Sequence, residues 1–170
     1  MYSRESGIPF ALYAYAGCAL ARASACGETN MTRDDAERLL RSLFDAYGVS
    51  AGRVFDGREV AGVMLGEAEL FFQYAPERGS LWCGALVYHF IAEPRPRVLE
   101  AFFEEEGSAD AFDTGGGALE YREETRSLLL SRTYETAPAP EEFVDDVKTL
   151  ASASLVWARE GVPRVASAVE

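Results

Sequence analysis

Few side chains in this sequence are of the types that catalyse reactions or bind metals. His89 is the single histidine, and the three cysteines, Cys18, Cys26 and Cys83, form no C-x-x-C pair. Zinc sites and histidine-based catalysis need more of these side chains at closer spacing. Cys83 and His89 both lie in an apolar run, where a small core residue and a satisfied strand residue are the simpler interpretations. The sequence therefore predicts no metal site and reduced thiols.

Two other patterns resemble chemical motifs but lack the residues that define them. Gly115–Gly117 is not followed by the Lys and Ser/Thr of a phosphate-binding loop and precedes a strand, so we interpret it as a turn. Acidic pairs fall early in predicted helices, where carboxylates complement the positive end of the helix dipole. These pairs are Asp34–Asp35, Glu141–Glu142 and Asp145–Asp146. No serine lies in a nucleophile-elbow context. We predict no catalytic residue and no enzyme activity.

Composition narrows the class of partner. The chain has 170 residues, of which 48% are hydrophobic, enough for one domain with a sizeable core. Its net charge of −12 disfavours nucleic acid and anionic membranes, because both would repel it. No apolar run is long enough to cross a bilayer. Acidity of this kind favours solubility and partners that are basic or unfolded polypeptides.

The pattern of apolar residues predicts an α+β domain in the order α-β-β-β-α-β-β-α, a two-layer sandwich of a mostly antiparallel sheet with helices packed against it. The longest apolar run, Ser80–Ile91, is apolar on both alternating faces and predicts a central strand. Gly161 and Pro163 predict the end of the last helix. The predicted elements are Thr32–Tyr47, Arg58–Leu65, Glu69–Tyr74, Ser80–Ile91, Arg97–Glu106, Ala118–Arg122, Leu128–Tyr134 and a helix from Pro140 to Gly161.

Residues 1–30 differ in composition from the rest of the chain. They are alanine-rich with scattered aromatics, and three interpretations compete: a signal peptide, a tethered extra helix, or sequence upstream of a true initiator at Met31. We favour the last, because a clean helix begins directly after Met31. The predicted domain then covers residues 31–165, with a tail at 166–170. A cytoplasmic location is expected on this basis, and export is the alternative if residues 1–30 are a signal peptide.

The segment GGGALEYREETRSLLLSRTYETAPAPEEFVDDVKTLASASLVWAREG resembles the CesT/Tir chaperone family, the bacterial type III secretion chaperones. A glycine-led strand, a charged turn at Glu123–Thr125, the L-x-L strand at Leu128–Leu130 and a last helix from Phe143 through Trp157 carry the resemblance. It implies a homodimer joined through the middle helix and the neighbouring strand, without a cofactor. It also implies that an effector's extended N-terminal segment wraps around the dimer by strand addition and pocket filling.

This resemblance suggests two groups of candidate residues, one for polypeptide binding and one for the dimer interface. Leu70, Phe72 and Tyr74 alternate on one face of a strand, which makes them candidates for a polypeptide-binding groove, with plain core as the other interpretation. Val98, Phe102 and Phe103 on the short middle helix are candidates for the dimer interface, and Phe102→Glu is expected to split the dimer. The alternative function is a non-secretory regulator or scaffold of the same fold that binds a folded partner.

Overall fold

The computed structural model describes residues 30–50 and 52–169. The helices are α1 (Arg33–Ala46), α2 (Pro96–Glu106), α3 (Pro140–Val156) and α4 (Val162–Val169), and the strands are β1 (Val60–Leu65), β2 (Ala68–Ala75), β3 (Ser80–His89), β4 (Ala118–Arg122) and β5 (Ser127–Tyr134). The predicted α+β class and order are confirmed, with α4 as an addition. The competing interpretations of residues 1–30 fall, apart from Asn30, outside the described residues.

The strands form one antiparallel sheet in the order β1-β2-β3-β5-β4, so β3 is central, as predicted. Its pairing with β5 shifts between Leu86 and Tyr88, which leaves Val87 as an additional residue in β3. Such a bulge bends a strand and increases its twist. The strand ends at His89, two residues before the predicted end at Ile91.

The first helix begins where its sequence signals predicted. The Thr32 hydroxyl accepts a hydrogen bond from the Asp35 N–H at 3.1 Å, and the Asp35 carboxylate accepts one from the Thr32 N–H at 3.0 Å. This reciprocal capping box satisfies two backbone donors that the helix leaves unpaired. One apolar stripe of α1 is buried; it consists of Ala36, Leu39, Leu40, Leu43 and Phe44.

The hydrophobic core lies between one face of the sheet and the helices α1 and α3. α3 packs across β2, β3 and β5, and α1 packs against α3. Phe143 on α3 is fully buried, with its ring 6.3 Å from that of Phe72 and 5.3 Å from that of Tyr134. These aromatic contacts join the second layer to two strands of the sheet.

The glycine triplet forms a turn, as predicted. Gly115 has φ +64°, and a Cβ atom there would lie 2.7 Å from the Thr149 carbonyl oxygen of α3. A side chain is therefore excluded both by the left-handed backbone and by the neighbouring helix. The triplet allows the chain before β4 to pass directly against α3.

The end of the last helix differs from the prediction. α3 does not stop at Gly161 but continues through a π-helical turn, Trp157–Gly161, into α4. The Val162 N–H donates to the Trp157 carbonyl, and a Cβ atom at Gly161 would lie 2.7 Å from Cε3 of the Trp157 ring. Pro163, which has no N–H, lies in the first turn of α4, where it is tolerated. α4 then extends to Val169, across the boundary predicted at residue 165.

Candidate polypeptide-binding surface

Leu70, Phe72 and Tyr74 share one face of β2, as their alternation predicted, but that face is the one that α3 covers. Leu70 and Phe72 are fully buried, and Tyr74 is nearly so. The Tyr74 hydroxyl donates to the Met31 carbonyl oxygen at 3.1 Å, which anchors the chain before α1. The structure therefore places the three groove candidates in the core, because period-two alternation fixes which residues share a face but not which face is covered.

The opposite side of the sheet, which we call the open face, carries a second set of apolar side chains. Met64 is 55% exposed there, and the side chains of Phe71 and Leu86 are half-buried. Adjacent strands bring residues of this face together through their register. By that register, the open face consists of Val60, Gly62, Met64, Glu69, Phe71, Gln73, Trp82, Gly84, Leu86, Leu129, Ser131, Thr133, Ala118, Glu120 and Arg122.

A fixed polar cluster holds one aromatic ring flat on the open face. Trp82 Nε1 donates to Glu120 Oε2 at 3.0 Å, and Arg122 Nε donates to Glu120 Oε1 at 2.9 Å. The Arg122 guanidinium carbon lies 3.7 Å from the Trp82 ring centroid, in the range of a cation–π contact. The indole covers Gly84, where a Cβ atom would lie 2.2 Å from Cη2. The cluster makes the centre of the open face rigid.

β1 is an edge strand, and the pattern of its bonds to β2 shows which backbone groups point outward. The Tyr74 N–H donates to the Glu59 carbonyl at 2.9 Å, so this pair is of the hydrogen-bonded type. Such pairs alternate along an antiparallel ladder. The residues whose N–H and C=O groups point away from β2 are therefore Val60, Gly62 and Met64.

The outward backbone groups of Val60 are already hydrogen-bonded to another residue of the same chain. The Val60 N–H donates to Asp56 Oδ1 at 3.0 Å, and the Val60 carbonyl accepts from the Asp56 N–H at 2.9 Å. Within residues 30–50 and 52–169, no corresponding bond is made to the outward groups of Gly62 or Met64. This part of the β1 edge can pair with an additional strand.

On the other edge of the sheet, one outward backbone donor is already bonded. The Leu119 N–H of β4 donates to Glu106 Oε1, on the last residue of α2, at 2.7 Å. A side chain thus takes a backbone donor that an added strand would need. The outward N–H of Leu119 on β4 is thus taken, whereas within the described residues Gly62 and Met64 on β1 are two successive outward positions without such a bond.

The candidates for a dimer interface separate into buried and exposed side chains. Phe102 is 2% exposed and lies in the core, with its ring 6.4 Å from that of Phe90. Val98 is half-buried against the core, whereas Phe103 is 41% exposed. Ile91, in the segment that leads to α2, is 89% exposed. The exposed apolar surface on this side of the molecule thus involves Phe103, with Phe102 belonging to the interior of the protomer.

The groups that could take part in chemistry are isolated within the part of the chain that the structure describes. There, no group of three or more His, Cys, Asp or Glu side chains could hold a metal ion. Cys83 is fully buried, and burial raises the pKa of its thiol, which makes it a poor nucleophile. His89 Nδ1 lies 3.4 Å from the Ser127 hydroxyl oxygen on the neighbouring strand. None of the described helices is long and apolar enough to cross a membrane.

Comparison with known proteins identifies the fold. No protein-family model and no curated protein sequence matches the chain. Among solved structures, a chain of the ExsC–ExsE complex matches with a TM-score of 0.58 and 17% identity, over 76% of this chain and 96% of that one. A chain of the HopA1–SchA chaperone–effector complex matches with a TM-score of 0.50 and 16% identity, over 76% and 94%. The chain has a type III secretion chaperone-like fold.

Within this type III secretion chaperone-like fold, the sequence does not predict which backbone groups at the two edges of the sheet are bonded. From the sequence, Gly62 indicates only a weak β1, and Met64 is not singled out. The available signal is the glycine within the strand, because glycine there often marks a place where another backbone approaches closely. No sequence pattern predicts the hydrogen bond from the Leu119 N–H to Glu106, because the two residues lie in different elements.

Proposed function

We propose that the chain is a non-enzymatic, chaperone-like binding protein that holds an extended segment of another polypeptide, such as a secreted effector. The observation that carries this proposal is the open part of the β1 edge, where Gly62 and Met64 present backbone groups beside the apolar open face. The proposal is also supported by one of the solved structures with a similar fold, which is a chaperone–effector complex.

The bound segment adds to the sheet as a sixth strand next to β1. Its backbone exchanges hydrogen bonds with Gly62 and Met64, and these bonds provide affinity for an extended chain irrespective of sequence. Its alternate side chains lie on the open face, next to Met64 and near Phe71, and bury apolar area there. The net charge of −12 attracts basic segments and speeds their association.

The proposal includes a homodimer that acts in the cytoplasm. Its interface is formed around the exposed side of α2, with Phe103 as the main apolar contact and Val98 at the margin. Phe102 is not part of it, because that side chain is already buried in its own protomer. An exposed phenylalanine on a helix surface is the kind of apolar side chain that a second copy would cover.

Selection from a displayed library of random peptides tests the proposal. The wild-type protein is used for selection, and Met64→Pro is used to remove peptides that bind elsewhere, because proline deletes an outward N–H without removing a bond to β2. Met64→Ala is the matched control that keeps the N–H. We expect enriched peptides to share alternating apolar residues and to bind Met64→Ala. Enrichment that is equal on Met64→Pro would contradict strand addition at β1.

A further inference from the structure

The open part of the β1 edge has a gap in its side chains. Gly62 lies between Val60 and Met64 on the open face and has no side chain of its own, and its cross-strand partner is the half-buried Phe71. Gly62 is exposed, so a residue paired with it from outside would meet no side chain at that position of β1. A large ring there would cover the glycine and reach the edge of Phe71, a pairing that stabilises glycine in strands.

The next position along the edge has a different chemistry. Met64 is paired with Glu69 on β2, and both side chains are on the open face. Across the described residues, Glu69 forms no ion pair. A lysine or arginine opposite Met64 would lay its methylene stem on the exposed methionine and bring its charge towards the Glu69 carboxylate.

The register of an added strand is restricted to these two positions. Val60 is already bonded to Asp56, so within the described residues Gly62 and Met64 are the two outward positions of β1 with backbone groups left to exchange. An antiparallel partner exchanges both bonds with each of them. In that direction, the residue opposite Met64 precedes the residue opposite Gly62 by two positions in the partner's sequence.

We infer that the partner is an extended, antiparallel segment with the pattern basic-x-aromatic. The aromatic residue pairs with Gly62 and packs on Phe71, and the basic residue pairs with Met64 and faces Glu69. This inference rests on the proposed function and adds to it the sequence class of the client. The overall acidity of the chain supports the basic residue, and the gap at Gly62 supports the aromatic one.

Three labelled peptides test the inference with the full-length protein: Thr-Lys-Val-Phe-Val-Thr, the same peptide with Ala for Phe, and the same peptide with Glu for Lys. Fluorescence anisotropy gives a dissociation constant for each. We expect the Phe peptide to bind about fivefold to tenfold more tightly than the Ala peptide, from the apolar area that the ring buries. We expect a preference for Lys over Glu of about threefold to tenfold, which salt reduces.

Two variants assign these preferences to their positions. Gly62→Val fills the gap and is expected to remove the preference for Phe, while Glu69→Gln is expected to remove most of the preference for Lys. Each variant should leave the other preference intact. Met64→Pro should weaken the binding of all three peptides, which separates strand addition from general attraction to an acidic surface.

The outcomes separate the inference from the proposed function. If all three peptides bind the wild type equally and Met64→Pro abolishes binding, the basic-x-aromatic pattern is wrong and strand addition stands. If binding is insensitive to Met64→Pro, or none of the peptides binds, strand addition at β1 fails and the pattern fails with it.

Discussion

At the scale of single residues, two glycines decide how the chain can pack. Gly161 allows the π-helical turn to fold beneath the Trp157 ring, and Gly115 allows the chain before β4 to touch the backbone of α3. Trp157 is fully buried, and its Nε1 donates to the Asp113 carbonyl oxygen at 3.2 Å. The indole thus joins the last helix to the loop before β4. Side chains at these two glycines would displace atoms that other elements depend on.

Gly161→Ala should therefore lower the free energy of unfolding. The added methyl group would overlap the Trp157 ring, and overpacking of this kind costs about 1–3 kcal/mol. Gly52→Ala is the matched control, because a Cβ atom there meets nothing within 4 Å. Urea denaturation followed by tryptophan fluorescence measures both. Equal midpoints for the two variants would show that the contact at Gly161 does not constrain the helix.

The capping box of α1 makes the stability of the protein depend on pH, and the direction of that dependence follows from the pKa of Asp35. Hydrogen bonds from Thr32, followed by the one from Arg38, lower the pKa of the Asp35 carboxyl. The folded state therefore binds this proton less readily than the unfolded chain, so the stabilisation is present above the unfolded pKa of about 3.9 and is lost as pH falls through the lower folded pKa. Asp35→Asn should reduce stability at neutral pH and flatten its decline in acid. Urea denaturation measures both proteins across this pH range. If their stabilities declined in parallel as pH falls, the assignment would be contradicted.

At the scale of elements, the order of helices and strands could be predicted from the sequence, and the covered face of the sheet could not. The stripe of α1 and the apolar run of β3 each have a period that belongs to one type of element. Alternation correctly groups Leu70, Phe72 and Tyr74 on one face, but only the position of α3 shows that this face is the core. The continuation of α3 past Gly161 was also not predictable, because the glycine contact that permits it is tertiary.

Backbone N–H groups on β1 alternate between facing β2 and facing outward, so proline should destabilise the protein differently at Val63 and at Met64. The Val63 N–H faces β2, so Val63→Pro removes a ladder bond and should cost about 1–3 kcal/mol, the penalty of leaving a backbone acceptor of β2 unpaired. Met64→Pro removes an outward N–H and should cost clearly less. Chemical denaturation measures both. Equal destabilisation would contradict the assignment of Met64 to the open part of the edge.

The two phenylalanines of α2 should respond differently to charge. Phe103→Glu should raise the dissociation constant of the dimer by about a hundredfold, because it places an unpaired carboxylate in the interface, with little effect on folding. Phe102→Glu should instead destabilise the protomer by about 3–5 kcal/mol, because its position is buried in the core. Analytical ultracentrifugation and denaturation distinguish these effects. A wild-type protein that sediments as a monomer would contradict the proposed interface.

At the scale of the whole molecule, one sheet divides a closed core from the proposed binding surface. The helices cover one face, Glu106 of α2 accepts from the Leu119 N–H on the β4 edge, and within the described residues the outward backbone groups of Gly62 and Met64 on the β1 edge make no hydrogen bond. The net charge of −12 favours association with basic polypeptides. The acidity can be read from the sequence, whereas the bonding of the two sheet edges emerged only from the assembled sheet, and the kind of partner stays a prediction.

Amide hydrogen exchange measured by NMR tests the central claim most directly. The measurement compares the free protein with the protein bound to a peptide from the library selection. The account predicts that exchange slows at the N–H groups of Gly62 and Met64 and is unchanged at Leu119 on the other edge, because a new strand bonds only to β1. Protection on the β4 edge or on α2, with no change at Gly62 and Met64, would contradict it.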